Sequence, residues 1–155
     1  MKILTILARG IEGCGVTVNS IKFTEYVNKQ HGYEAACIAN SDIKWGRGNV
    51  HKGDIKQLSF TKQFNELKDI VDQYDKLIFM CTPLKKSPEK VKQSFVDILD
   101  YAKRKGKFCV YCQFDHKIRS LRTNMYSEEK WFGIWQKFDI ILNHSHTNDF
   151  VVKYL

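Results

Sequence analysis

The stretch Ile3-Leu4-Thr5-Ile6-Leu7-Ala8-Arg9-Gly10-Ile11-Glu12-Gly13-Cys14-Gly15-Val16-Thr17 decides the fold of this chain. Its apolar start predicts a strand, its glycines predict a tight turn, and Thr17 opens a helical pattern. Such a turn lets the backbone approach a ligand, and the N–H groups at a helix start attract anions. The stretch favours a phosphate or diphosphate site, although a turn that only joins a strand to a helix would read the same.

Two common nucleotide-binding motifs do not fit this glycine turn. Residues 10–17 read G-x-x-x-x-G-x-T, so that Val16 stands where a P-loop carries its phosphate-binding lysine. The dinucleotide-binding motif fails because Val18 takes the place of its third glycine. The turn is therefore interpreted as a diphosphate-binding turn of another α/β family.

Strand-like and helical patterns alternate along the chain. Apolar runs of strand length occupy residues 2–8, 34–39, 57–60, 76–81, 107–112 and 139–142. With 155 residues the chain can bury one good core. The alternation predicts a single α/β domain over residues 1–155: a Rossmann-like, doubly wound, mostly parallel sheet with helices on both faces.

Four helical patterns lie between the strands. The first opens at Thr17, with an apolar face of Val18, Ile21, Tyr26 and Val27, and the second buries Phe64, Leu67, Ile70 and Val71. The third is capped by Ser87, has Pro88 at its first position, and buries Val91, Phe95, Ile98, Leu99 and Ala102 before Gly106 stops it. The fourth opens at Ser127 and buries Trp131, Ile134, Trp135 and Phe138.

Composition narrows the class of protein and its partners. A net charge of +8 favours an acidic partner, and nucleic acid is the commonest one. Lysines of the helical segments are expected on solvent faces: Lys62, Lys68, Lys90, Lys92, Lys103 and Lys105. The apolar start is too short for a signal-peptide core or a membrane span, so a cytoplasmic protein without a membrane partner is expected. Cys109 and Cys112 form C-x-x-C, but in a strand they point to opposite faces and are not expected to share a metal.

The loops after the strands collect charged and polar side chains. Open α/β sheets bind ligands beyond the carboxyl ends of their strands. The candidates at that edge, in chain order, are Glu12, Gly13, Cys14, Gly15, Lys44, Trp45, Arg47, Lys52, Lys85, Lys86, Asp115, His116, Arg119, Arg122, His144 and Ser145. The plain alternative is that these loops are polar because loops lie in solvent.

Several ordered stretches resemble a known family. They are the glycine stretch from Leu7 to Thr17, Val110-Tyr111-Cys112-Gln113-Phe114-Asp115-His116, Ser120-Leu121-Arg122-Thr123-Asn124, and residues 139–150 around Asn143-His144-Ser145-His146. Together they resemble the amino-terminal half of the DNA α-glucosyltransferases of T-even-type bacteriophages. One departure is Phe114, where the family tends to carry a histidine.

The resemblance implies a two-domain GT-B glycosyltransferase that moves glucose from UDP-glucose to 5-hydroxymethylcytosine in duplex DNA. In that architecture the amino-terminal domain holds the acceptor, and the carboxyl-terminal domain binds most of the nucleotide sugar. The family runs on where this chain stops, at Leu155. Residues 1–155 are therefore expected to be the acceptor domain without its donor-binding domain, inactive or nearly so alone. Three alternatives stay open: the chain is a fragment, a separate gene product whose donor-binding half is another polypeptide, or a domain kept for another purpose.

Roles for the candidate residues follow from this chemistry. An alcohol that attacks a sugar needs a base near its hydroxyl, and Asp115 is the best placed carboxylate, with His116 in reserve; a loop cap is the alternative for Asp115. Glu12, Gly13, Cys14 and Gly15, with Arg119, Arg122, His144 and Ser145, are assigned to the substrates. The residues assigned to DNA are Lys44, Arg47, Lys52, Lys85 and Lys86. Trp45 either stacks on a flipped base or is a half-buried packing residue.

No tightly bound cofactor is expected beside the donor UDP-glucose. His116, His144 and His146 would be the candidate ligands of a divalent metal, but no clear carboxylate partner accompanies them, and a metal is not supported. A rival from another class fits the same residues: a non-catalytic module that binds DNA or a protein through its basic edge.

Overall fold

The computed structural model describes residues 1–8, 10, 15–43, 55–83, 87–113 and 133–143. These residues form a six-stranded sheet in the order β3-β2-β1-β4-β5-β6. The strands are β1 (Lys2–Leu7), β2 (Glu34–Asn40), β3 (Lys56–Leu58), β4 (Lys76–Met80), β5 (Phe108–Gln113) and β6 (Ile140–Asn143), and all five neighbouring pairs are parallel. The helices are α1 (Gly15–Asn28), α2 (Phe64–Asp72) and α3 (Glu89–Arg104). The predicted parallel α/β sheet is confirmed.

Two apolar layers cover the sheet. On one side, called here the α3 face, α2 and α3 pack in one core with alternate strand residues such as Leu4, Leu77, Phe79, Cys109 and Tyr111. Ile134, Trp135 and Phe138 join that core as predicted, and residues 133–135 are helical. The predicted start of this helix at Ser127, with Trp131, lies outside the described residues. On the other side, called the α1 face, Val16, Phe23 and Val27 of α1 pack on residues such as Leu7, Ala35 and Cys37. The helices thus lie on both faces.

The third helix follows the sequence prediction closely, apart from its first turn. Its five predicted core residues are all buried, and Gly106, with φ +69°, follows its end. The helix nevertheless starts at Glu89, and Pro88 is its N-cap residue rather than its first helical residue. Pro88 has ψ 143°, which is outside the helical region, so the cap predicted at Ser87 lies one residue too early.

The predicted apolar face of the first helix is partly wrong. Val18 and Tyr26 are exposed, whereas Thr17 and Ser20 are buried with Val27 against the sheet. Ser20 can face the sheet because its hydroxyl donates to the Val16 carbonyl oxygen at 2.8 Å. A satisfied hydroxyl is small enough for close packing, and the count of apolar residues does not reveal it.

Lys92 also departs from its predicted position on a solvent face. Its side chain is buried, and its Nζ lies 2.6 Å from Oε1 of the exposed Glu89, one turn earlier in α3. The apolar stem of a lysine can be covered while its ammonium group reaches a charged partner. The ion pair with Glu89, at the start of α3, compensates the cost of burying the charged Lys92 side chain.

The cysteines behave as small apolar residues. Cys109 belongs to the core on the α3 face, whereas Cys112 packs with the cluster on the α1 face, so their predicted opposite orientation is confirmed. Burial raises the pKa of Cys109 to about 12 and that of Cys112 to about 11. Both thiols are therefore protonated near neutral pH, which does not suit a nucleophile or a metal ligand.

Candidate functional site

The carboxyl ends of the strands meet at one edge of the sheet. Leu7 of β1 is level with Ala39 of β2 and with Met80 of β4, and Met80 is in turn level with Cys112 of β5. Cys112 is level with Leu142 of β6. The strand order reverses between β2, on one side of β1, and β4, on the other, which is where open parallel sheets bind ligands. We call this region the carboxyl edge.

Most of the predicted site residues follow these strand ends in sequence but lie outside the described part of the chain. They are Glu12, Gly13, Cys14, Lys44, Trp45, Arg47, Lys52, Lys85, Lys86, Asp115, His116, Arg119, Arg122, His144 and Ser145. Gly15 is described, and it is the first residue of α1. The assignments of individual side chains therefore stay predictions, and what the structure supplies is the frame from which their loops depart.

β1, Gly10 and α1 follow one another as the sequence predicts, whereas residues 11–14 between Gly10 and α1 lie outside the described residues. β1 ends at Leu7, Gly10 has φ +84°, and α1 begins at Gly15. The first four N–H groups of an α-helix have no partner within the helix, and they carry the positive end of its dipole. Val16, which follows Gly15, packs against the cluster that contains Leu7, so the start of α1 lies near the end of β1, where an anionic ligand would be stabilised.

Gly10 is held against the turn that follows β2. Its N–H donates to the Leu7 carbonyl oxygen at 3.2 Å. A Cβ atom at this position would lie 2.7 Å from the Asn40 carbonyl oxygen and 2.8 Å from the Ile43 carbonyl oxygen. With a positive φ and two backbone atoms so close, only glycine fits here. The sequence motif includes Gly10 but assigns it no role of its own.

Polar side chains join the ends of three strands beside Gly10. Asn40, which is buried, donates from Nδ2 to the Ala8 carbonyl oxygen at 3.5 Å and accepts the Asp42 N–H at 2.9 Å. The Asp42 carboxylate accepts the Thr61 N–H at 2.9 Å and the hydroxyls of Ser59 and Thr61. The network gives the loops after β1 and β2 a common base. Asn and Asp two residues apart at a strand end were the available signal for it.

A strained residue lies directly after β4. Cys81 has φ +59°, a conformation that residues other than glycine seldom adopt, and its N–H donates to the Cys112 carbonyl oxygen at 3.4 Å. Thr82 and Pro83, which follow it, are buried. Such strain is concentrated at functional sites, and here it lies at the carboxyl edge. The sequence alone does not predict the positive φ of Cys81.

The opposite edge of the sheet carries charges that are already paired. A cavity of about 360 Å³ there is lined by Asp100, Lys103, Lys137 and Asp139 together with neighbouring residues. Lys103 and Lys137 form ion pairs of 2.7 and 2.6 Å with the two carboxylates. Burial acts to raise the pKa of Asp139, but the Cys109 N–H and the Lys103 ammonium outweigh it and hold that pKa below its usual range. These ion pairs join α3 to residues 137–139, which precede β6.

The described residues show neither a metal cluster nor a membrane helix. Among them, no three His, Cys, Asp or Glu side chains are grouped as metal ligands would be. None of the described helices has the length and the apolar character needed to cross a membrane.

The fold and the carboxyl edge together define a class of protein. A parallel sheet of this order, with a glycine turn after its first strand and its reversal at β1, matches the amino-terminal half of a GT-B glycosyltransferase. The model of one family, DNA alpha-glucosyltransferase, matches residues 14–155, and the chain belongs to that family. The suspected resemblance is thereby confirmed.

Individual relatives agree with the family match. DNA alpha-glucosyltransferase of Enterobacteria phage T4 is 31% identical over 154 residues, which are 97% of this chain and 36% of that protein. A structure of alpha-glucosyltransferase with UDP and a 13-mer DNA containing an HMU base has a TM-score of 0.76 at 28% identity and covers 93% of this chain and 38% of that one. A complex with UDP-glucose and DNA containing an abasic site has a TM-score of 0.81 at 28% identity, with 94% and 36% covered. This chain spans little more than a third of the length of these relatives.

Proposed function

We propose that residues 1–155 form the acceptor half of a DNA glucosyltransferase that moves glucose from UDP-glucose to 5-hydroxymethylcytosine in duplex DNA. Family membership over residues 14–155 is the observation that carries the proposal. It is supported by structures of similar chains, one with UDP and DNA and another with UDP-glucose and DNA. The enzyme would act on DNA in the cytoplasm of an infected bacterium.

The carboxyl edge supports a division of roles among the candidate residues. The start of α1 at Gly15 would face the diphosphate, because its N–H groups and dipole favour negative charge. Glu12, Gly13 and Cys14 belong to the same turn, and Arg119, Arg122, His144 and Ser145 would contact donor or acceptor. Lys44, Trp45, Arg47, Lys52, Lys85 and Lys86 would bind the duplex. The network of Asn40 and Asp42 supports the loops after β1 and β2 at their origin.

Sugar transfer needs a base for the acceptor hydroxyl, and we assign that role to Asp115. The hydroxymethyl oxygen forms a bond to the anomeric carbon of glucose while the bond from that carbon to the diphosphate breaks. UDP leaves with the electron pair, and the hydroxyl proton passes to Asp115, or to His116 in reserve. We assign Asp115 as the base rather than as a nucleophile, because a double displacement requires a second paired carboxylate. Glu12 is the one acid in the glycine turn.

The other wall of the donor site would come from a polypeptide or domain beyond these 155 residues. The relatives are nearly three times as long as the part that this chain matches. One wall of a cleft offers a nucleotide sugar few contacts, so catalysis by residues 1–155 alone would be absent or very slow.

We predict that the chain alone binds duplex DNA weakly and with a steep salt dependence, because its basic loops displace counterions from the phosphates. Reversing Lys44, Arg47, Lys85 and Lys86 to glutamate should weaken binding by about 10-fold or more and flatten the salt slope between about 50 and 200 mM. Fluorescence anisotropy with a labelled hydroxymethylated duplex measures both quantities.

A charge-matched control separates the basic loops from total charge. Reversing four exposed cations away from the carboxyl edge, namely Lys22, Lys29, Arg104 and Lys105, makes the same change in net charge. This variant should keep most of the salt slope. Equal losses in the two variants would mean that DNA responds only to net charge, and the assignment of the edge would be abandoned.

UDP-glucose should bind the chain alone only in the millimolar range, or about 4 kcal/mol. The glycine turn contacts the diphosphate from one side, and valine at Gly13 or Gly15 should remove even this affinity by blocking the approach of the backbone. Isothermal calorimetry tests the prediction. Micromolar binding would show that residues 1–155 hold a complete donor site and that the half-site assignment is wrong.

Sugar transfer decides between the enzyme and a non-catalytic module. Joining the chain to a donor-binding half of this family should restore transfer from UDP-glucose to hydroxymethylated DNA. DNA binding without transfer in the joined protein would instead support a module that only binds DNA.

A further inference from the structure

The strand β4 ends in a residue with a left-handed backbone. Cys81, which follows Met80, has φ +59° and is the one residue other than glycine with a positive φ in the described part of the chain. A residue with a Cβ atom disfavours this conformation by about 10-fold. The packing around Cys81 must therefore impose it.

Buried neighbours and one hydrogen bond hold this turn in place. Cys81 is 3% exposed, Thr82 is 1% exposed, and Pro83 is buried as well. The Cys81 N–H donates to the Cys112 carbonyl oxygen at 3.4 Å, one residue beyond the point where Met80 and Cys112 are level. The end of β4 is thus joined to the end of β5.

Three residues, 84–86, connect this turn to the next described part of the chain. Pro83 is buried on one side, and α3 begins two residues after Ser87 on the other. Consecutive Cα atoms are about 3.8 Å apart, so Lys85 lies within about 8 Å of both Pro83 and Ser87, and Lys86 is adjacent to Ser87. The direction in which the chain leaves β4 therefore limits where these two cations can lie.

We propose that Cys81 is a positioning residue for the acceptor DNA, a role that rests on the function proposed above. Its left-handed backbone directs the chain from β4 toward Lys85 and Lys86, the cations assigned to the duplex. Its N–H holds the end of β5, from which the chain continues to Asp115, the assigned base. One residue thus fixes the origins of both loops relative to each other.

The residue type at position 81 decides whether this turn can form. Glycine adopts a positive φ without a steric penalty, and the same packing would still impose the turn. A β-branched residue such as valine is a marked outlier in the left-handed region, because its Cβ carries two heavy atoms. Cys81→Gly therefore keeps the direction of the chain after β4, whereas Cys81→Val changes it.

Anisotropy with the chain alone and a hydroxymethylated duplex tests the proposal. Cys81→Val should weaken DNA binding about threefold or more, the order expected for two displaced phosphate contacts. Cys81→Gly should stay near the affinity of the parent. Cys37→Val is the matched control, because Cys37 is equally buried but lies within β2, and it should also keep the affinity.

A double-mutant cycle shows whether Cys81 acts through the lysines. In a chain that carries Lys85→Ala and Lys86→Ala, Cys81→Val should weaken DNA binding no further, because changes that act through the same contacts are not additive. A residue that only supported the fold would give the same loss in both backgrounds. If Cys81→Val does not fold, Cys81→Thr, which is branched but closer in volume to cysteine, replaces it in the cycle.

Several results would overturn the role of Cys81. They are parent-like binding by Cys81→Val, equal losses for Cys81→Val and Cys37→Val, a loss for Cys81→Gly as large as that for Cys81→Val, and additive losses in the cycle. All of them are measured without sugar transfer, so they leave the proposed function standing. A parent chain that binds no DNA would overturn both.

Discussion

Replacing Asp115 with asparagine should lower turnover about 100-fold or more in any assembly that restores sugar transfer, which is the usual scale for the loss of a general base. Asparagine keeps the shape of the side chain but cannot take the proton of the attacking hydroxyl. Asp115 follows β5, which ends at Gln113 on the carboxyl edge. Initial rates with labelled UDP-glucose and hydroxymethylated duplex DNA measure the effect, and anisotropy should show that DNA binding persists.

Asp97→Asn provides the matched control. Asp97 is an exposed residue of α3 whose carboxylate accepts a hydrogen bond from Nε2 of Gln93 at 2.8 Å, and its loss should leave turnover unchanged. A rate for Asp115→Asn within about threefold of the parent, far above the range for a lost base, would transfer the role to His116 or Glu12. The same substitution with lost DNA binding would indicate a structural cap instead.

The fold was predictable because its main signals are local. Each of the six strands overlaps a predicted apolar run, and each predicted boundary is within two residues of the observed one. The stripe of α3 was equally clear, since Val91, Phe95 and Ile98 recur at helical spacing. Patterns of this kind predict helices and strands because burial of the apolar face is the main contribution to the stability of each element.

The errors at Ser20 and Lys92 share a different cause, because their polar groups are satisfied by contacts that the sequence does not display. Ser20 faces the sheet because its hydroxyl bonds to its own helix, and Lys92 is buried because Glu89 reaches its ammonium. In both cases a polar residue is buried although hydrophobicity alone does not predict its burial. Counting apolar residues could not detect either contact.

The candidate site was predictable in its location but not in its supporting geometry. The rule that parallel sheets bind ligands at their carboxyl ends found the edge. The contacts that shape it depend on residues far apart in the chain: Gly10 meets Asn40 and Ile43, and Cys81 bonds to Cys112. Such juxtapositions arise only when the strands are aligned, so no motif of adjacent residues encodes them.

Gly10→Ala should destabilise the chain by about 3 kcal/mol or more, the sum of a strained left-handed residue and an overpacked contact. The methyl group would lie 2.7 Å from the Asn40 carbonyl oxygen and 2.8 Å from that of Ile43, at φ +84°. Both neighbours are backbone atoms, so they cannot move aside as a flexible side chain would. Urea denaturation measures the loss, and the turn that precedes α1 would be displaced with it.

Gly32→Ala and Gly106→Ala separate the two contributions. These glycines have φ +80° and +69°, but a Cβ at either would meet nothing within 4 Å. Each control should therefore lose only the conformational term, about 1 to 2 kcal/mol. A loss at Gly10 no larger than theirs would show that the glycine turn is not packed against the end of β2. A larger loss at Gly10, together with weaker UDP-glucose binding in the joined protein, would establish that the Asn40 turn holds the diphosphate loop in place, because the φ penalty is common to all three variants and the clash is not.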